Sequence, residues 1–225
     1  MTSHPPSVSS ATATPGVCIA APASGSGKTT IATGLIAALA SRMKVAPFKV
    51  GPDYIDPGYH GIASGCAGRN LDSVLCGNDL IGPLYRHGAQ CADIAVVEGV
   101  MGLFDGRISD GAGSTANIAA ALGIPILLIV DARGMSQSVG AVVRGFATAR
   151  SDVRIAGVIL NKVGSDRHAV VCREAVEAEG IPVVGSIPRQ PDIVVPSRHL
   201  GLVTAIEHGE AALKAIQSME KLIEQ

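Results

Sequence analysis

Ala21-Pro22-Ala23-Ser24-Gly25-Ser26-Gly27-Lys28-Thr29-Thr30 follows the apolar run Val17-Cys18-Ile19-Ala20 and leads into a helix-like stretch over residues 29–42. A strand, a glycine turn, Gly-Lys-Thr and a helix together form a cradle for a nucleotide triphosphate. Small residues at 24–27 let backbone N–H groups converge on phosphate oxygens, and the helix N-terminus adds partial positive charge. Lys28 is placed to reach the outer phosphates, Thr29 to ligate Mg²⁺ and Thr30 to line the cradle. The common phosphate-loop pattern asks for glycine where this chain has Pro22. A Gly/Ser turn capping an ordinary helix would explain the loop by itself, but not the strand before it and the helix after it.

Outward from this loop, apolar strand-like runs recur at residues 17–21, 45–50, 94–97, 125–130, 155–160 and 183–187. Amphipathic stretches lie between them near 29–42, 80–87, 114–122, 136–150 and 167–179, and residues 208–224 read as a terminal helix. This alternation predicts an α/β fold with a doubly wound, mostly parallel sheet. Such sheets bind ligands beyond the carboxyl ends of their strands. Polar residues gather there: Lys28 and Thr29, then Lys49, Asp53 and Asp56, then Glu98 and Asp105, then Asp131 and Arg133, then Asn161 and Lys162.

Glu98 ends an apolar strand, where phosphate-loop proteins place a carboxylate for Mg²⁺. Mg²⁺ takes few carboxylates beside phosphate oxygens and water, and Thr29, Asp53 and Glu98 would satisfy it. Residues 51–60, with two prolines and two glycines, read as a rigid turn segment holding carboxylates in place. His60, His87 and His168 lack ligand spacing and read as structural or surface residues.

At 225 residues the chain fits one domain with a sizeable core. Hydrophobic residues make up 47% and aromatics only 3%, without tryptophan, which argues against stacking platforms for nucleic acid. With 18 basic and 19 acidic residues the net charge is −1, so nothing pulls the chain onto nucleic acid or anionic lipid. No apolar run is long enough to span a membrane. Five scattered cysteines without Cys-x-x-Cys spacing read as reduced thiols of a cytoplasmic protein. Residues 1–15, rich in Ser, Thr, Pro and Ala, read as a disordered tail and not as a secretory signal.

Several segments together resemble the cobyrinic acid or hydrogenobyrinic acid a,c-diamide synthase family. They are the phosphate loop, residues 49–57, Arg69-Asn70-Leu71-Asp72, residues 97–106 and Gly113-Ser114-Thr115-Ala116. The family's Ala-Pro form of the phosphate loop accounts for Pro22. The resemblance runs from about residue 16 to 207 and implies a phosphate-loop fold of the dethiobiotin synthetase type. It further implies ATP- and Mg²⁺-dependent amidation of the a and c carboxylates of a corrin, through acyl phosphates, in cobalamin biosynthesis.

In that scheme Lys28, Lys49, Asp53 and Asp105 are catalytic, and Thr29, Asp53 and Glu98 hold the metal. Ser24, Gly25, Ser26, Gly27, Lys28, Thr29 and Thr30 bind phosphates, while Asn161, Lys162 and Pro188 recognise adenine. Tyr54, Ile55 and Ser114 meet the corrin, and Asp105 orients the substrate carboxylate or deprotonates ammonium. Family members usually carry a C-terminal glutaminase that supplies ammonia. Its nucleophilic cysteine has no counterpart beyond Gly65-Cys66-Ala67-Gly68, inside the synthetase half. The expectation is therefore a synthetase domain over residues 16–225, with the glutaminase elsewhere as a domain or subunit. A homodimer is one arrangement that would build a corrin site at a subunit contact. Two rivals share the loop. A dethiobiotin synthetase would lack the 51–57 and 97–106 segments. A MinD/ParA-type ATPase switch would carry lysine in place of Ala23 and often a basic C-terminal helix.

Overall fold

A computed structural model describes residues 14–189 and 205–224; the expected tail lies outside them except for its last two residues. Seven strands form one parallel sheet in the order β3-β2-β4-β1-β5-β6-β7. They are β1 (Gly16–Ala20), β2 (Val45–Val50), β3 (Arg69–Leu71), β4 (Ile94–Glu98), β5 (Ile126–Asp131), β6 (Ile155–Val163) and β7 (Val183–Pro188). The helices are α1 (Lys28–Ala40), α2 (Asp56–Ser64), α3 (Ser73–Cys76), α4 (Asn78–Ala89), α5 (Thr115–Leu122), α6 (Ser138–Thr148), α7 (Asp166–Glu177) and α8 (Ala205–Ile223). The expected doubly wound sheet is present, with β1, at its centre, leading into the phosphate loop.

The central strands read as continuous apolar runs because both faces are covered. On one face Ile19, Val96 and Ile129 pack with Ile31 and Ile36 of α1 and Leu222 of α8. On the other Cys18, Val97 and Leu128 pack with residues of α4 to α7, including Ile81, Ala116, Val143 and Val176. Gly34 lets α8 lie close on α1: a Cβ there would meet the Met219 carbonyl oxygen at 2.4 Å. Pro47 sits inside β2, yet β3 pairs only with Phe48, Lys49 and Val50. At Pro47 the strand is therefore an edge on that side, where a missing N–H is tolerated. Among the described residues no helix is long and apolar enough to cross a membrane.

Two elements depart from expectation. Strand β3 was not anticipated, since it is three residues long and two of them are exposed. Residues 51–60 are not a turn throughout, because α2 begins at Asp56. Pro57 occupies the first helical turn, where its missing N–H costs nothing, and Gly65 closes the helix with φ 68°.

Candidate active site

Four strand ends and two helix starts converge on the phosphate loop. Gly25 and Gly27 take φ of 78° and 96°, values that a side chain would disfavour. Ser26 Oγ donates to the Ala23 carbonyl at 2.9 Å, which tightens the loop. Lys28 Nζ, at the start of α1, donates to the carbonyls of Ala23 at 3.3 Å and Met101 at 2.5 Å. It thus joins the loop to the segment after β4.

From the far side β6 clasps the loop. Asn161 Nδ2 donates to the Ser26 carbonyl at 2.9 Å. Lys162, in the left-handed region at φ 61°, donates to the Gly25 carbonyl at 3.1 Å. Its ammonium also pairs with Asp131 of β5 at 2.9 Å, and Asp131 pairs with Arg133 at 2.8 Å. Those two partners help hold the Asp131 carboxyl below its ordinary range although burial opposes it. Pro188 ends β7 next to β6, with Val163 as its register partner. The Asn161, Lys162 and Pro188 expected at adenine therefore share one end of the β6–β7 pair, though only the first two touch the loop in the contacts described.

Beneath the loop lies a buried charge cluster. Lys49 of β2 and Glu98 of β4 are register partners on neighbouring strands, with side chains 1% and 0% exposed. Lys49 Nζ is 2.9 Å from Glu98 Oε1, 2.7 Å from Asp56 Oδ2 and 3.2 Å from the Gly99 carbonyl. Thr29 Oγ1 donates to Glu98 Oε1 at 2.6 Å and lies 3.4 Å from Asp56 Oδ2. On the other side of Glu98, His60 Nε2 is 2.8 Å from Oε2. These two atoms are not aligned for a hydrogen bond, and neither they nor His60 Nδ1 find another aligned partner among the described residues.

Burial would raise the Glu98 carboxyl, but His60, Lys49 and Thr29 outweigh it and hold it at about 2. Asp56 goes the other way. Its burial and the neighbouring Glu98 charge raise it, and Lys49 does not fully offset them. Burial disfavours the Lys49 ammonium, yet Glu98 and Asp56 carry its pKa upward. Two carboxylates thus share one ammonium beside the phosphate loop. The donors, Thr29, Asp56 and Glu98, are hard oxygens of the kind Mg²⁺ takes. Among the described residues no group of three or more His, Cys, Asp and Glu side chains could hold a metal by itself. A cation here would need oxygens from a nucleotide or water.

The other expected site residues are placed as follows. Asp53 Oδ1 accepts from the N–H groups of Ile55 and Asp56 at 2.9 and 3.0 Å, so it holds the turn that starts α2. Asp56, not Asp53, meets Lys49 and Thr29. Tyr54 is 80% exposed and stands at an open depression of about 670 Å³ that Asp53, Gly58, Ile62, Cys66 and Asn70 also line. Ile55 instead packs inward against Tyr59 and Ile216. Asp105 Oδ2 accepts from the Gly102 N–H at 3.0 Å and closes the turn after β4. Ser114 is buried and caps α5 through the Asn117 N–H at 3.3 Å, a structural task the sequence reading did not assign it. Thr30 lies partly buried on the first turn of α1.

Sequence reasoning left Asp56 out of its metal set and gave His60 no role. The signal available was Pro57, a helix-start residue that puts Asp56 and His60 four apart on one helix.

Residues 17–203 match the family described as CobQ/CobB/MinD/ParA nucleotide binding domain. The chain is 60% identical over 213 residues to hydrogenobyrinate a,c-diamide synthase of Mycobacterium tuberculosis (strain H37Rv), covering 92% of this chain and 47% of that protein. It is 57% identical over 212 residues to the protein of the same name from Streptomyces coelicolor, covering 93% and 44%. The chain therefore spans about half the length of these curated relatives. Among solved structures, the septum site-determining protein MinD of Pyrococcus horikoshii, complexed with Mg-ADP, superposes with a TM-score of 0.50 at 16% identity. That match covers 93% of this chain and 94% of MinD and speaks for the fold alone. With its phosphate loop clasped by β6 and a family match over most of its length, the chain belongs to the CobQ/CobB/MinD/ParA nucleotide binding domain family.

Proposed function

We propose that this chain is the ATP-dependent synthetase part of a corrin a,c-diamide synthase and that its substrate is hydrogenobyrinate. The observation that carries the reading is the high identity, along nearly the whole chain, to relatives bearing that name. In the reaction a corrin carboxylate oxygen bonds to the γ-phosphorus of ATP as the bond to the ADP oxygen breaks. Ammonia then attacks the acyl carbon, phosphate leaves and a proton is released. The c and a side chains react in turn. Ammonia comes from a glutaminase, as a further domain or a separate subunit.

Attack of one anion on another needs charge cancelled at fixed positions in a place that excludes water. Lys28 at the loop supplies one such charge, and Lys49 beneath it anchors the Asp56 and Glu98 carboxylates. The N–H groups of residues 24–30 and the positive end of α1 cradle the phosphates. Asn161 and Lys162 keep the loop in register and border the adenine end with Pro188. Thr29, Glu98 and Asp56 would hold Mg²⁺, with Asp53 fixing the turn that seats Asp56. When bound, Mg²⁺ draws the phosphates to this point and neutralises charge that develops on them. Tyr54 and the depression beside it offer the corrin a partly apolar face near α2. Asp105 orients the incoming carboxylate or takes the proton of ammonium. The free cysteines suit a cytoplasmic setting.

The test mixes the chain with MgATP, ammonium chloride and hydrogenobyrinic acid, and follows monoamide and diamide by mass spectrometry. The expected result is stepwise gain of two amides. Steady ATP hydrolysis that ignores the acid, with no amide formed, would refute the reading and favour an ATPase switch.

A further inference from the structure

His60 is wholly buried on α2, four residues after Asp56. One face of this helix therefore delivers both groups to the charge cluster. The two oxygens of Glu98 have different company. Oε1 receives Thr29 and Lys49. Among the described residues Oε2 has His60 as its polar neighbour, and these are among the few buried polar side-chain atoms without an aligned hydrogen bond. Buried polar atoms are nearly always paired, so a mispaired couple needs a reason. At 2.8 Å a small turn of ring or carboxylate would align them.

Resting on the reading of the site given above, we propose that His60 is a positioning residue. By engaging Oε2 it fixes the rotation of the Glu98 carboxylate and presents Oε1 toward Thr29, where the divalent cation accompanying the nucleotide would be held. Groups that orient a metal's carboxylate ligand typically set metal affinity by 10–100-fold. The ring is too deeply buried to touch substrate, so it acts through Glu98.

The test uses the whole chain, Mn²⁺ as the probe and a non-hydrolysable ATP analogue. Mn²⁺ affinity is read by electron paramagnetic resonance, and nucleotide affinity in EDTA by calorimetry. His60→Gln keeps a donor at about the reach of Nε2, whereas His60→Asn is one bond too short. The expected result is Mn²⁺ affinity within about threefold of wild type for His60→Gln and roughly 10–100-fold weaker for His60→Asn. Nucleotide affinity in EDTA stays within about threefold for both. Equal Mn²⁺ affinity in the two variants would overturn the proposal. So would a loss above about tenfold in His60→Gln, which is decisive even if His60→Asn does not fold. A loss of equal size in EDTA would mark a merely structural role and overturn it too. Wild-type protein that takes up no Mn²⁺ with the nucleotide would overturn the reading of the metal site and this proposal together.

Discussion

Replacing Lys49 by methionine keeps the length and apolar stem of the side chain and removes only the charge. In the wild type the ammonium lies 2.7 Å from Asp56 and 2.9 Å from Glu98, with Glu98 and Lys49 almost wholly inaccessible. Its loss leaves two carboxylates facing each other in the interior. Breaking a buried pair by removing one partner destabilises by about 3–5 kcal/mol. For a chain of this size that is a fall in Tm of roughly 6–20 °C. The deficit should also depend on pH. Asp56 is already raised by burial and by Glu98, and losing the Lys49 ammonium raises it further, so Asp56 binds its proton more tightly in the folded than in the unfolded state. A raised folded pKa disfavours folding as pH rises, so the deficit grows from pH 5 to pH 8. Urea unfolding followed by circular dichroism at the two pH values measures both quantities. A loss below about 1 kcal/mol, or one independent of pH, would refute the account of this cluster.

Three further predictions follow from the same geometry. Glu98 is held at about 2 against an ordinary 4.5, which corresponds to about 3 kcal/mol of folding stability. Because the folded value is depressed, that stability is present above pH 4.5 and lost as pH falls towards 2. Acid titration of wild type against Glu98→Gln should show the steeper loss in wild type, and parallel curves would contradict it. Gly27→Ala forces a side chain into φ 96° and puts a Cβ 2.4 Å from Asn161 Nδ2. Nucleotide affinity, read with a fluorescent ATP analogue, should fall at least about tenfold, and unchanged affinity would contradict the clasp. In Asp105→Asn the side-chain carbonyl can still accept from the Gly102 N–H, so nucleotide binding should persist while amidation falls roughly 100-fold. Full activity in that variant would remove Asp105 from the chemistry.

The sheet was legible because its central strands are apolar on both faces and separated by amphipathic helices. β3 was not, since Arg69-Asn70-Leu71 is too short and too polar to show a strand pattern. α2 was hidden because Pro57, Gly58 and Gly61 are turn residues by composition, although here a proline in the first turn begins the helix. That error also hid that Asp56 and His60 stand one turn apart on the same helix. Lys49 and Glu98 were each visible as charges at the end of apolar runs. Their contact depends on β2 and β4 being neighbours in register, a fact of strand order that local pattern does not carry. Asn161 and Lys162 were visible as polar residues after an apolar run, and the resemblance gave them their expected role at adenine. Their grip on the Ser26 and Gly25 carbonyls spans more than a hundred residues and emerges only from the fold.

The measurement that tests the central claim most directly is isotopic. Hydrogenobyrinic acid labelled with ¹⁸O in its carboxylates is incubated with the chain, MgATP and ammonium, and the released phosphate is examined by mass spectrometry. If this site transfers the γ-phosphoryl group to a corrin carboxylate, one ¹⁸O appears in phosphate for each amide formed. Phosphate without label, alongside ATP turnover, would contradict the account.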